Sequence, residues 1–148
     1  MPGRQEVRRH LRLARGFIET ALVRDDSDEF DIRNALSRSY YALFHACHAW
    51  LAMRNVPKTR RNRREALFEQ VLRKRGEEYG GRLNTFWKQR IRADYDEPEF
   101  LEASPFQGDL VKFRISARNN LNLIEREFEF YKSEVDSFLN PDRKTSIV

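Results

Sequence analysis

Apolar residues recur along this chain at the three-and-four spacing of helices, and no run of alternating β-branched residues marks a strand. Val7, Leu11, Ala14, Ile18, Ala21 and Leu22 form one stripe, which predicts a first helix from about Gln5 to Arg24. The turn-forming, self-repelling cluster Asp25-Asp26-Ser27-Asp28 ends it. A second helix is predicted from near Asp31, an acidic residue suited to the positive end of a helix, to about Asn55, ahead of Pro57. Thr59 caps a third, carrying Ala66, Leu67, Val71 and Leu72. Gly76 and the pair Gly80-Gly81 break the pattern, and a short fourth helix follows from Leu83 to Asp94. Ser104-Pro105-Phe106-Gln107 reads as cap, first-turn proline and N3 amide of a final helix. That helix carries Leu110, Val111, Ile115, Leu121, Ile124, Phe128, Tyr131, Val135 and Phe138, and Asn140-Pro141 stops it. About 34 residues would make it roughly 50 Å long, so it is expected to bend or project. The expected fold is all-α: an up-and-down helical bundle of four to five helices over residues 5–140, with 141–148 as a frayed tail.

Composition narrows this further. The chain has 148 residues, room for one domain, and 40% hydrophobic residues suffice for one core. Tyr40–Met53 is its longest nearly uncharged run; it falls short of the roughly 20 residues of a membrane span and reads as a buried helix. Cys47 is the single cysteine, so no internal disulfide can form. Met1-Pro2-Gly3-Arg4-Gln5-Glu6 carries no apolar secretion signal, and the expected location is the cytoplasm, away from membranes.

The net charge of +5 hides an asymmetry. Met1–Met53 is net +1, Arg54–Arg92 is net +9 and Ala93–Val148 is net −5. Lys58, Arg60, Arg61, Arg63 and Arg64 head the cationic block, followed by Arg73, Lys74 and Arg75. Arginine forks grip phosphate oxygens in pairs, so nucleic acid is the expected polyanion. The competing use of the block is internal, its arginines pairing with the acidic final third. Around Phe68 the block offers no base-stacking platform.

The second helix has two faces. Leu36, Tyr40, Leu43, Phe44, Cys47 and Leu51 form a bulky core side; Arg38, Ala42, His45, Ala49 and Ala52 form the other. Arg38 and His45 are two turns apart, about 10 Å along the axis. The small alanines between them let another helix approach closely, so a polar pocket between helices or subunits is expected. His45 and His48 are three residues apart but lack the further spaced donors of a metal site, and neither metal nor cofactor is expected. No phosphate-cradling glycine loop and no nucleophile elbow is present, which removes support for nucleotide hydrolysis and esterase chemistry.

Ser37-Arg38-Ser39-Tyr40-Tyr41-Ala42-Leu43-Phe44-His45-Ala46 resembles the second-helix signature of the HEPN superfamily, the higher eukaryote and prokaryote nucleotide-binding domains. Arg92-Ala93-Asp94-Tyr95-Asp96, ahead of a final helix, resembles the later signature of its small prokaryotic branch, and the likeness runs from about Gln5 to Leu139. The resemblance implies an all-α bundle that forms homodimers. It also implies a metal-independent endoribonuclease carrying Arg, four to six residues, then His, as in toxin–antitoxin pairs with a nucleotidyltransferase-type antitoxin or in phage defence. Arg38 and His45 fit that spacing. In many members the motif lies just before the last long helix. The matching stretch here, Arg90 and Arg92 through Asp94 and Tyr95, contains no histidine. The expected function is therefore RNA binding with cleavage by His45 as base, Arg38 as charge stabiliser and Tyr41 as hydrogen-bond donor. The alternative is a non-catalytic dimeric module, or a regulatory subunit of a nucleotidyltransferase-type partner, whose basic block alone binds.

Overall fold

The stripe on the first helix dictates the packing. In a computed structural model, which describes residues 3–22, 29–56, 63–95 and 108–141, that helix is α1, Arg4–Leu22. Val7, Leu11, Ala14, Ile18 and Ala21 are buried along it. They face α2, Glu29–Met53, the most enclosed element of the bundle. Phe17 meets Tyr41 while His10 meets His48, so α1 and α2 run antiparallel. Ala42, Ala49 and Ala52 share the core with the α1 residues, as close helix approach across small side chains requires. α3 is Arg63–Arg75, α4 is Glu77–Tyr95 and α5 is the long final helix Leu110–Leu139. The described residues form these helices and no strand.

The ends of α2 follow local chemistry. The Val56 N–H donates to the Leu51 carbonyl at 3.0 Å, and Asn55 turns left-handed with φ of 60°. Asparagine accepts that conformation better than most side chains, and Pro57 follows it. Ile32 and Leu36 pack with Phe113 and Ala117, and Trp50 meets Tyr131 at 5.4 Å, so α2 and α5 run parallel. The 30 residues of α5 give it a length of about 45 Å.

Two of the expected boundaries are corrected. Gly76 does end α3, with φ of 126°, and its carbonyl accepts from Tyr79 and Gly80 to start α4 at once. Gly80-Gly81 breaks nothing: α4 runs unbroken through it and is longer than the short Leu83–Asp94 helix expected. A Cβ at Gly80 would lie 2.8 Å from Leu72 Cβ and 3.0 Å from the Phe68 carbonyl, so this glycine is where α4 crosses α3. α5 starts later than expected, at Leu110, where Asp109 accepts from the Val111 and Lys112 N–H groups at 3.0 and 3.1 Å. Ser104–Gln107, Thr59 and the tail 142–148 lie outside the described residues. Asn140 stops α5 as expected.

One ion cluster centres on a buried carboxylate, with Arg75 and Arg82 reaching it from partly exposed positions. The Glu127 carboxylate on α5 accepts from Arg75 of α3 and, at 2.6 Å, from Arg82 of α4. The Arg75 guanidinium lies 3.6 Å from the rings of both Tyr79 and Phe130. A buried charge left without its partner typically costs about 3–5 kcal/mol, so this trio ties three helices to one register.

Two outcomes follow from this packing. Gly80→Ala should destabilise the fold by about 1–3 kcal/mol through overpacking. Gly81→Ala, with open space at its Cβ, should stabilise it by about 0.5–1 kcal/mol; urea titration of both reads the contrast. Burial holds the Cys47 thiol well above its ordinary 9.0, and does the same to the Tyr40 and Tyr131 phenols relative to 10.0. For each, the folded chain keeps a proton that the unfolded chain releases. The resulting stabilisation is complete below the unfolded values and is lost as pH rises past them. Stability measured by urea titration should therefore fall above about pH 9–10, with ultraviolet titration showing Tyr40 and Tyr131 ionising only as the chain unfolds.

Candidate functional site

Most of α2 is covered by neighbours; besides half-buried Asp31, Ser37, Phe44 and Met53, its accessible residues fall along one line. Phe30, Asn34 and Arg38 are exposed, and Tyr41 and His45 are half-buried. Their spacing of four, four, three and four residues keeps them on one side of the helix. One turn further on, His48 and Ala49 are buried and the stripe closes. The three residues expected to carry chemistry, Arg38, Tyr41 and His45, thus occupy the accessible line of a largely enclosed helix.

α1 braces the lower end of that line. His10, buried on the inner side of α1, places its Nδ1 3.1 Å from His45 Nδ1. One of these nitrogens carries the hydrogen and the other accepts it. Phe17 stacks parallel to the His45 ring at 5.8 Å and touches Tyr41 at 5.5 Å, while Phe44 presents its edge to His45 at 5.6 Å. The His45 ring is therefore braced by His10 and Phe17 of α1 and by Phe44 of its own helix. Phe44, expected in the core, is half-buried and does this bracing instead.

α4 closes the other side. Arg90 donates to the Tyr41 hydroxyl oxygen, with its guanidinium 5.0 Å from the ring centroid. Because the oxygen accepts, the Tyr41 O–H keeps its own hydrogen to donate. The Arg64 guanidinium lies over the Trp87 ring, 3.5 Å from its centroid, and pairs with Glu65 at 3.3 Å. Arg64 and Arg90 both favour ionisation of the neighbouring Tyr40 phenol, but burial outweighs them. The later signature thus meets the earlier one through the Arg90–Tyr41 contact, while Arg92 sits half-buried near the end of α4. Asp94 and Tyr95 fall in its last turn.

Several expectations shift. Arg38 and His45 do not form one pocket within the chain: Arg38 is exposed, with no hydrogen bond or ion pair to a described residue, and His45 engages His10. Arg64, expected to hold phosphate, packs over Trp87 and pairs with Glu65. The cationic block is also partly spent internally, since Arg54 pairs with Glu134 and Arg75 and Arg82 pair with Glu127. Lys58, Arg60 and Arg61 lie outside the described residues; Arg63 is the first residue of α3. His10 and Phe17 were missed by reasoning from α2 alone, although both lie on the side of α1 where its apolar stripe borders α2.

His10, His45 and His48 come together, with ring centroids 5.3 and 5.2 Å from His10. The rings stack instead of aiming nitrogens at a common point. Among the described residues no group of three or more His, Cys, Asp or Glu is arranged to hold a metal ion, and no helix is long and apolar enough to cross a membrane. No family model, curated protein or solved structure matches the chain.

The Arg90–Tyr41 contact is measurable. A double-mutant cycle of Tyr41→Phe and Arg90→Gln should give a coupling energy of about 0.5–3 kcal/mol in urea unfolding, the range for contacting side chains. Additivity within about 0.3 kcal/mol would show that the contact contributes nothing.

Proposed function

We propose that this chain is an RNA-binding protein of HEPN type that cleaves RNA without a metal, as a homodimer. The carrying observation is the accessible line on α2, which presents a guanidinium, a phenol and an imidazole on a helix that is buried over most of its surface. His45 acts as general base on the RNA 2′-hydroxyl, with its Nδ1 side held by His10 and its Nε2 taking the proton. Tyr41 donates its O–H to the reacting phosphate, steadied from behind by Arg90. Arg38 neutralises charge building on the phosphoryl oxygens. Because Arg38 does not meet His45 of its own chain, the dimer supplies the second member of each pair. Lys58, Arg60, Arg61 and Arg63 hold the backbone. A nucleotidyltransferase-type antitoxin is the proposed regulator, and the cytoplasm the proposed location.

The non-catalytic module is favoured by the same separation of Arg38 from His45. One experiment divides the two. Labelled RNA and DNA of equal sequence are incubated with wild type, His45→Ala and Arg38→Ala in the presence of a chelator. The nuclease reading expects RNA cleavage by wild type, intact DNA, and a loss of about 10²–10⁴-fold for His45→Ala. Equal cleavage by wild type and His45→Ala would remove His45 from the mechanism. RNA binding without cleavage by any of the three would assign the module.

A further inference from the structure

The cations of α1 divide into two groups. The helix carries Arg4, Arg8, Arg9, Arg12 and Arg15 against Glu6 and Glu19, and has no lysine. Arg4 donates to the Phe138 and Leu139 carbonyls at 3.3 and 3.4 Å, and Arg15 pairs with Asp136 at 2.9 Å. These two fasten α1 to the end of α5. Arg8, Arg9 and Arg12 are exposed and have no hydrogen bond or ion pair to a described residue.

The three do not point into featureless solvent. Arg8, Arg12 and Arg15 line a cleft of about 420 Å³ between α1 and the last turn of α5, floored by Leu11 and Leu139. Its carboxylate, Asp136, is already neutralised by Arg15. Arg8, Arg9 and Arg12 also border an adjoining hollow of about 720 Å³, with Glu6 at its edge. Arg8 and Arg12 are one helical turn apart, on the side of α1 opposite His10 and Phe17. The cleft therefore faces away from His45.

We propose that this α1–α5 cleft is a second phosphate-contact surface, which takes the sugar-phosphate backbone of RNA independently of the α2 site; it rests on the RNA-binding reading. Arginine forks match phosphate oxygens in pairs, and a row of them one turn apart follows a strand of phosphates. The described lining of the cleft holds no aromatic ring to stack a base, so the contact reads charge and spacing and not sequence. Leu11 is buried and Leu139 half-buried beside the exposed Arg8, Arg12 and Arg15, and the described lining offers no exposed apolar side chain of the kind that inserts into a lipid surface.

Fluorescence anisotropy with a labelled single-stranded RNA, over a potassium chloride series, tests this. Arg8→Glu with Arg12→Glu should weaken binding at least about tenfold and lower the salt slope by about 1.4, the loss of two phosphate contacts at about 0.7 each. Arg8→Gln with Arg12→Gln should lower the slope equally. Lys112→Glu with Arg126→Glu makes the same change in net charge on exposed positions of α5 and should bind like wild type. Circular dichroism checks that each variant keeps its helices. Equal weakening by both Glu pairs overturns a located site, as does wild-type binding by the Arg8 and Arg12 pair; either result leaves the α2 reading standing. Wild type that binds no RNA overturns both. Capture by anionic phospholipid vesicles in preference to RNA, lost in Arg8→Glu with Arg12→Glu, would assign the cleft to lipid head groups and overturn the proposal.

Discussion

The burial of α2 governs the rest of the molecule. Once Tyr40, Leu43, Ala46, Cys47, Ala49 and Trp50 are withdrawn from water, the polar groups on the same helix must find partners inside or share the line left open. Ser39 takes the first course and donates to the Leu36 carbonyl at 3.0 Å. His48 packs its ring between His10 and Phe44. Arg38 takes the second, while Tyr41 and His45 do both, each meeting an inner partner, Arg90 and His10. A site that looks like a selected constellation is also the geometric remainder of enclosing a helix on its other sides.

That enclosure explains why charge in this chain serves two purposes. Arg75 and Arg82 converge on buried Glu127 and fix the register of α3 and α4 against α5, while Arg64 and Arg90 settle on Trp87 and Tyr41. Guanidinium groups can do this because their planar faces tolerate aromatic contact while their edges still donate. A basic stretch of sequence is thus no direct measure of a basic surface. The surface charge seen in the fold comes partly from α1, where the acidic cluster after the helix cancels its arginines in any count over the first third of the chain.

What could be read in advance had local causes. The apolar stripe of α1, the end of α2 near Asn55, the glycine stop at Gly76 and the end of α5 at Asn140 each depend on a few neighbouring residues. Gly80 was misread because a glycine that breaks a helix and one that lets two helices touch look alike in sequence; only Leu72 and Phe68, brought in by the fold, distinguish them. The start of α5 is set by Asp109, which accepts from the Val111 and Lys112 N–H groups, and the apolar spacing of the helix does not specify that cap. Within the candidate site, the line of Arg38, Tyr41 and His45 follows from helical spacing. Its bracing by His10, Phe17 and Arg90 arises from packing between distant segments, which no spacing on α2 encodes.

The closure around Cys47 has a practical side. With its one sulfhydryl fully enclosed by the core, the chain offers no native handle to alkylating dyes or spin labels while folded. A cysteine introduced at Asn34, on the open stripe, would then be a unique attachment point, allowing a reporter to be placed beside the reactive line without first removing a residue that the interior needs.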